Sequence, residues 1–401
     1  MEKIKKLKQL FKKVNIDGYI VPKNDEYFGE YIPECNDRLK YISGFSGSYG
    51  FALILKNKNY LFVDGRYTLQ ARVQSGRNFK IMTFPKEMPN DILKRKNISI
   101  GFDPNLFTKK TLNIFFSKNN SKFKALENNL IDKIWTRKIN TNKSKFYKLP
   151  DQSTGESHHS KINKIILNLK KEKANFQLIT ASENVAWLFN IRGNDSEYTP
   201  VPYSHVLISQ DKKIKFFCDI KKVSISLKKN FSNTVFLKKN LLAKFLSSIN
   251  KKKFLIDKNT CSFNYENIIS RNNKILNLSD PIYFLKAIKN KKEIENIKNA
   301  HIHDGAALTK FLFWLKKNFK KQKITELSAS QKLFNFRKIN KKFKFLSFPT
   351  ISGTGPNGAI IHYKPNKKTN RKLKKGDIYL VDSGGQYNFG TTDVTRTISL
   401  E

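Results

Sequence analysis

Cysteine is nearly missing from this chain: Cys35, Cys218 and Cys261 are the three in 401 residues. They form no CxxC pair and no disulfide framework, which points to the reducing cytoplasm and to a fold held by apolar burial. Long apolar runs are missing too. Those at 51–55 and 311–315 are far too short to cross a bilayer. The opening MEKIKKLKQLFKK has no apolar segment of the signal-peptide kind, and Ile4, Leu7, Leu10, Phe11 and Val14 predict an amphipathic helix instead. Acidic residues are also scarce, 32 against 77 Lys and Arg, for a formal net charge of +45. Such a balance invites a nucleic-acid reading. However, the lysines are spread along the chain in short pairs such as Lys12-Lys13, Lys228-Lys229 and Lys367-Lys368, and no RNA- or DNA-binding motif is visible. A solvated lysine surface accounts for the charge, and neither a nucleic-acid nor a membrane partner is expected.

What is present is an ordinary globular composition, 39% hydrophobic and 12% aromatic, long enough for two or three domains. The first section reads as helix, strand 18–21 ending at Pro22, then strands 49–55 and 60–63 joined by a polar turn, then a helix from about Thr68. A polar stretch at 140–160 precedes a second section. There Ile162, Ile165, Ile166 and Leu169 mark a helix, and 176–179 a strand. The two sections look like copies, since "YIVPKNDEYFGEY" and "LITASENVAWLFNIRG" share a layout at an offset of about 158 residues, the length of a duplicated domain. A third section opens near Ser279 with a long amphipathic helix whose stripe includes Leu308, Phe311, Leu312 and Leu315. The expected boundaries are 1–140, 141–279 and 280–401.

Several candidate sites have plain explanations. Gly44-Phe45-Ser46-Gly47-Ser48-Tyr49-Gly50 precedes a strand, whereas a phosphate loop would precede a helix, so it reads as tight turns. His158 and His159 fall in the polar stretch and read as solvated, and His301 and His303 point to different faces of a helix. His362, in "SFPTISGTGPNGAIIHYKPN", follows Ile360 and Ile361, expected as a buried pair on a loop-strand. Taken alone, it is a core histidine satisfied by hydrogen bonds. The C-terminal "YLVDSGGQYNFGTTDVTRTISLE" reads as a hairpin with a Gly-rich turn at 384–390, which brings Asp382 near Asp393. One reading is a solvent-facing hairpin. In the other, Leu380 and Val381 draw Asp382 into a packed layer, where two like charges call for a hard or borderline cation such as Mn²⁺ or Mg²⁺. A neutral imidazole 20 residues earlier could then serve such a centre.

With these residues in view, "SFPTISGTGPNGAIIHY", "YLVDSGGQYNFGTTDVTRT" and "LKAIKNKKEIENIKNAHIHDGAALTKFLFWL" resemble aminopeptidase P (Xaa-Pro aminopeptidase), a metallopeptidase family with the pita-bread catalytic fold. "SGFSGSYGFALI", "VDGRYTLQA" and "AWLFNIRGND" resemble the two creatinase-type N-terminal domains of its long, three-domain form. The resemblance implies an α/β (α+β) chain with two such domains followed by an incomplete pita-bread domain. It implies a dinuclear centre, usually manganese, in which Asp382 chelates one metal and Asp393 bridges both. His362 would be the active-site histidine near the substrate, and Arg66 in "DGRY" a substrate-facing arginine. Peptides with proline in second position would be the substrates, in the cytoplasm, and a homodimer is open. The family's remaining His and two Glu ligands, and a second catalytic His, are expected beyond position 401, so the 401-residue chain is expected to be inactive alone. The alternatives are a prolidase- or creatinase-like hydrolase, a non-catalytic pita-bread binding protein, and a basic nucleic-acid adaptor.

Overall fold

Strands that are buried on both faces read as continuous apolar runs, and the central strands of this chain's two sheets are of that kind. The structure, a computed structural model, describes residues 1–94, 96–117, 120–137 and 143–401. The expected boundary at 140/141 lies outside the described residues. The chain divides into two compact units, the first formed by Met1–Leu149 with His158–Ile288, the second by Pro150–Ser157 with Lys289–Glu401.

The first unit holds two six-stranded sheets. In one, β1 (Gly18–Pro22), β2 (Phe51–Leu55), β3 (Asn59–Val63), β4 (Lys80–Thr83), β5 (Ser99–Phe102) and β6 (Lys122–Ala125) lie in the order β4-β3-β2-β1-β5-β6. In the other, β7 (Phe176–Ile179), β8 (Ser204–Ser209), β9 (Ile214–Cys218), β10 (Thr234–Lys238), β11 (Lys253–Ile256) and β12 (Lys274–Asn277) lie in the order β10-β9-β8-β7-β11-β12. The strand directions agree pair by pair. β1-β2-β3 and β7-β8-β9 are antiparallel, and the remaining neighbours are parallel. The duplication read from the sequence is therefore present in the topology, and β7 begins 158 residues after β1.

Period-2 alternation divides each sheet between two cores. Tyr19, Val21, Ala52, Ile54 and Leu61 pack with Ile4, Leu7 and Phe11 of the predicted N-terminal helix, Glu2–Lys13. Ile20, Leu53, Phe62 and Ile100 face the opposite way, onto Leu112, Phe115 and Phe116. In the second sheet Ile179, Val206, Ile208 and Phe216 meet Ile162, Ile165, Ile166 and Leu169, while Leu178, Leu207 and Phe254 meet Leu242, Leu246 and Ile269. One expectation fails here. His158 is buried, not solvated, because the helix His158–Lys171 starts inside the supposed linker and seats the ring 4.7 Å from Phe231. Between the sheets, Tyr27 stacks on Tyr203 at 4.3 Å and Phe263 N–H donates to Phe107 O at 2.7 Å.

The second unit is built on the long helix Lys291–Asn318, opened by a reciprocal cap between Asn290 and Glu293, and the helix Glu326–Lys338. Leu308, Phe311, Leu315 and Leu333 bury one face of a three-stranded antiparallel sheet, ordered β14 (Ile351–Thr354), β15 (Ile378–Ser383), β17 (Val394–Ser399). A ribbon of β13 (Phe343–Leu346) and β16 (Gly385–Tyr387) lies beside it in sequence and pairs separately.

Candidate metal centre

β15 is the middle strand of its sheet, so its side chains alternate between a dry face and a wetter one. Tyr379 and Val381 are buried with the helices, and Asp382 stands on the other face, half-buried. Thus Asp382 does not follow Val381 into the packed layer; it borders it from the opposite side. Its cross-strand partner is Thr395, with Ser383 opposite Val394, so Asp393 lies two residues before that partner rather than directly opposite Asp382. The offset eases the direct repulsion of like charges without removing it. Burial raises the Asp382 carboxyl above its ordinary range; the Thr395 hydroxyl opposes this, the Asp393 charge adds to it, and His362 opposes it. Asp393 and His362 are therefore both within electrostatic reach of Asp382. Asp382 Oδ1 is buried and has no hydrogen-bond partner among the described residues.

The segment between the two arms is more than a turn. Residues 385–387 leave the sheet to pair with β13, where Phe343 and Tyr387 meet edge to face at 5.7 Å, and the tight turn is confined to 387–390. Gly384 is obligatory: a Cβ there would lie 1.9 Å from the carbonyl oxygen of Thr392. Thr392 is itself fixed, its Oγ1 accepting from Gly385 N–H at 2.9 Å and its carbonyl from Ser347 Oγ at 2.8 Å. Tyr387 OH donates to Asp304 Oδ1 at 2.8 Å, and Arg337 grips the same carboxylate with two bonds of 2.6 and 3.0 Å. This fully buried pair ties both helices to β16.

His362 lies where the chain turns. After β14 it forms a 3₁₀ turn, Gly355–Ala359, and His362 then takes a left-handed backbone with φ of +57°. The expected buried Ile360-Ile361 pair is not found: Ile360 is half-buried and Ile361 is 54% exposed. Gly355 at φ +55° and the missing N–H of Pro356 turn the segment out of the strand. Beside it, Glu326 is completely buried and accepts from Thr354 N–H, Asn357 Nδ2, Tyr363 OH and Arg371 N–H at 2.8 to 3.2 Å. Sequence reasoning missed Glu326, Asp304 and Arg337. For Asp304 a signal existed, an acid on the apolar stripe between Ala300 and Leu308.

Arg66 belongs to the first unit. It sits in the 3₁₀ turn Gly65–Tyr67 capped by Asp64, pairs with the Asp64 carboxylate at 2.7 Å, and lies over the Tyr67 ring. A buried carboxylate oxygen lacking a donor, next to a second carboxylate, suits a divalent cation that prefers oxygen ligands. Two aspartates form only one side of such a site. Among the described residues no cluster of three or more His, Cys, Asp or Glu could hold a metal ion.

Residues 3–134 and 137–293 match models of the Creatinase/Prolidase N-terminal domain, and residues 295–401 match metallopeptidase family M24. A probable Xaa-Pro aminopeptidase P of Laccaria bicolor is 37% identical over 417 residues, covering 99% of this chain and 64% of the relative. One from Paracoccidioides brasiliensis is 34% identical over 425 residues, covering 99% and 68%. The chain thus spans roughly two thirds of the length of these relatives. The crystal structure of X-prolyl aminopeptidase from Caenorhabditis elegans, described as a cytosolic enzyme with a di-nuclear active site, superposes with a TM-score of 0.93 at 29% identity, over 100% of this chain and 69% of that one.

Proposed function

The chain belongs to the Xaa-Pro aminopeptidase P family of M24 metallopeptidases, with creatinase-type N-terminal domains preceding the pita-bread fold, and on that premise we propose that it removes the N-terminal residue from peptides with proline in second position. The observation behind this reading is the Asp382–Asp393–His362 grouping, with a buried Asp382 oxygen left without a donor. Asp382 would ligate one of two divalent ions and Asp393 both, and the all-oxygen donors suit manganese. Such ions, when bound, supply a nucleophile at neutral pH and polarise the scissile carbonyl. His362, held in its turn within electrostatic reach of Asp382, would donate a hydrogen bond to the oxygen on which charge develops, and Arg66 of the first unit would be a substrate-binding residue. The segments 1–140, 141–279 and 280–401 are the corresponding domains. A cytoplasmic setting is supported by the buried thiols of Cys218 and Cys261, and by the cytosolic relative. Among the described residues no helix is long and apolar enough to cross a membrane.

The test is a chimera in which residues 1–401 replace the matching part of the Laccaria bicolor relative. Metal-dependent release of the first residue from an Xaa-Pro peptide is expected, with loss in Asp393→Ala. An inactive chimera beside an active parent relative overturns the assignment. The 401-residue chain alone should release nothing even with Mn²⁺, because two carboxylates cannot hold two ions and a water in place.

A further inference from the structure

Glu326 is the feature of the second unit that the peptidase reading leaves unused. It opens the helix Glu326–Lys338, is 0% exposed, and yet forms no ion pair among the described residues. Neutral donors surround it instead. Thr354 N–H donates from the end of β14 at 2.8 Å, Asn357 Nδ2 from the 3₁₀ turn at 3.0 Å, Tyr363 OH from the residue after His362 at 2.9 Å, and Arg371 N–H from the returning chain at 3.0 Å. The residue's backbone joins in: its N–H donates to Arg371 O at 3.0 Å, and its carbonyl accepts from Ser352 Oγ at 2.8 Å. A buried carboxylate is tolerable only while its donors stay in place, so one charge fixes four chain segments at once.

His362 lies inside that grip. Its left-handed backbone is a conformation that a non-glycine residue holds only when its flanks over-determine it. The flank before it is anchored through Asn357 and the flank after it through Tyr363, both on the same carboxylate. We infer that Glu326 is the positioning residue for His362, setting where the imidazole stands relative to Asp382 and Asp393. This rests on the reading of His362 as a group of the site. An amide cannot substitute: Gln at 326 would turn an NH₂ toward a backbone N–H at either Thr354 or Arg371, whereas Tyr363 OH can reverse its role.

The experiment uses the 401-residue chain, with histidine labelled and the His362 ring resonance assigned through His362→Gln. In Glu326→Gln, the His362 signal is expected to shift or broaden while those of His158, His159, His205, His301 and His303 stay put. Amide exchange across residues 351–371 should speed up about tenfold or more, as expected for one lost hydrogen bond to a charged group. An unchanged His362 resonance with a lowered melting temperature would reduce Glu326 to a core residue and overturn the inference. If Glu326→Gln does not fold, Tyr363→Phe decides in the same way, since it removes one donor and leaves the carboxylate. None of these readouts requires peptidase activity, so an inactive chimera would sink the functional reading while this result stood or fell separately.

Discussion

Two pairs of aspartates, one in each unit, differ in how their oxygens are answered. In the first unit Asp257 and Asp280 are buried side by side, and each oxygen has a donor. Asp257 accepts from Asn259 N–H at 2.7 Å and Asp280 N–H at 2.8 Å; Asp280 accepts from Gln177, Asn184 and Ile282 N–H at 2.8 to 3.0 Å. In the second unit Asp382 faces Thr395, with Asp393 two residues before it, across a half-open sheet face and keeps one buried oxygen without a donor among the described residues. Burial and a like charge raise the Asp280 carboxyl to about 6 and also push Asp382 upward. The shift alone therefore does not separate the two pairs; the unanswered oxygen does.

That contrast is broken most severely by Asp393→Ala in the chimera, which should abolish peptide release and strip the metal, read by turnover and elemental analysis. Full activity would make this pair as structural as the other. Next in size, His362→Ala should lower kcat by about 10²- to 10⁴-fold with metal content and melting temperature retained. A normal kcat with a lowered melting temperature would move His362 into the core category. Asp280→Asn should leave turnover intact but cost about 1–3 kcal/mol, because its new NH₂ would confront Asn184 Nδ2, whose amide oxygen is engaged by Lys286 at 2.7 Å.

The same variant sharpens the comparison through pH. The folded Asp280 value of about 6 lies above its ordinary 3.8, so the folded chain holds this proton more tightly. Its contribution is complete below the unfolded value and is lost as pH rises toward 6, at most about 3 kcal/mol. Denaturant unfolding between those pH values should therefore slope less steeply downward in Asp280→Asn; an unaltered slope would show that the proton is not held there. The smallest effect is expected from Asp382→Asn in the metal-free chain, a gain of up to about 1 kcal/mol from relieved repulsion, damped by solvent on the half-open face. A loss of more than that would mean that Asp382 has a structural partner.

The duplicated layout was legible because β1, β2 and β7 read as short, largely apolar runs and the helices beside them repeat at helical spacing, whereas β8 to β12 gave no strand signal that was read. Asp382, Asp393 and His362 stood out as candidates because carboxylates and an imidazole interrupt apolar or glycine-rich strand sequence. Glu326 was not, since an acid in the first turn of a helix is an ordinary dipole partner, and its four donors arrive from up to 45 residues away. Arg337 was equally hidden, as a basic residue near a helix end usually points to solvent. His158 was misread because the burial of its ring depends on Phe231, 73 positions later in the chain.

Gly384 gives the absence of a side chain a measurable role. With Thr392 O only 1.9 Å from where a Cβ would stand, and Ser347 Oγ 2.3 Å from it, this position acts as a spacer of zero thickness between the arms that end in Asp382 and begin at Asp393. A single methyl group would wedge those arms apart, stretching the gap between the two carboxylates while leaving both of them intact. The spacing of the two carboxylates is thus set by a residue with no side chain of its own.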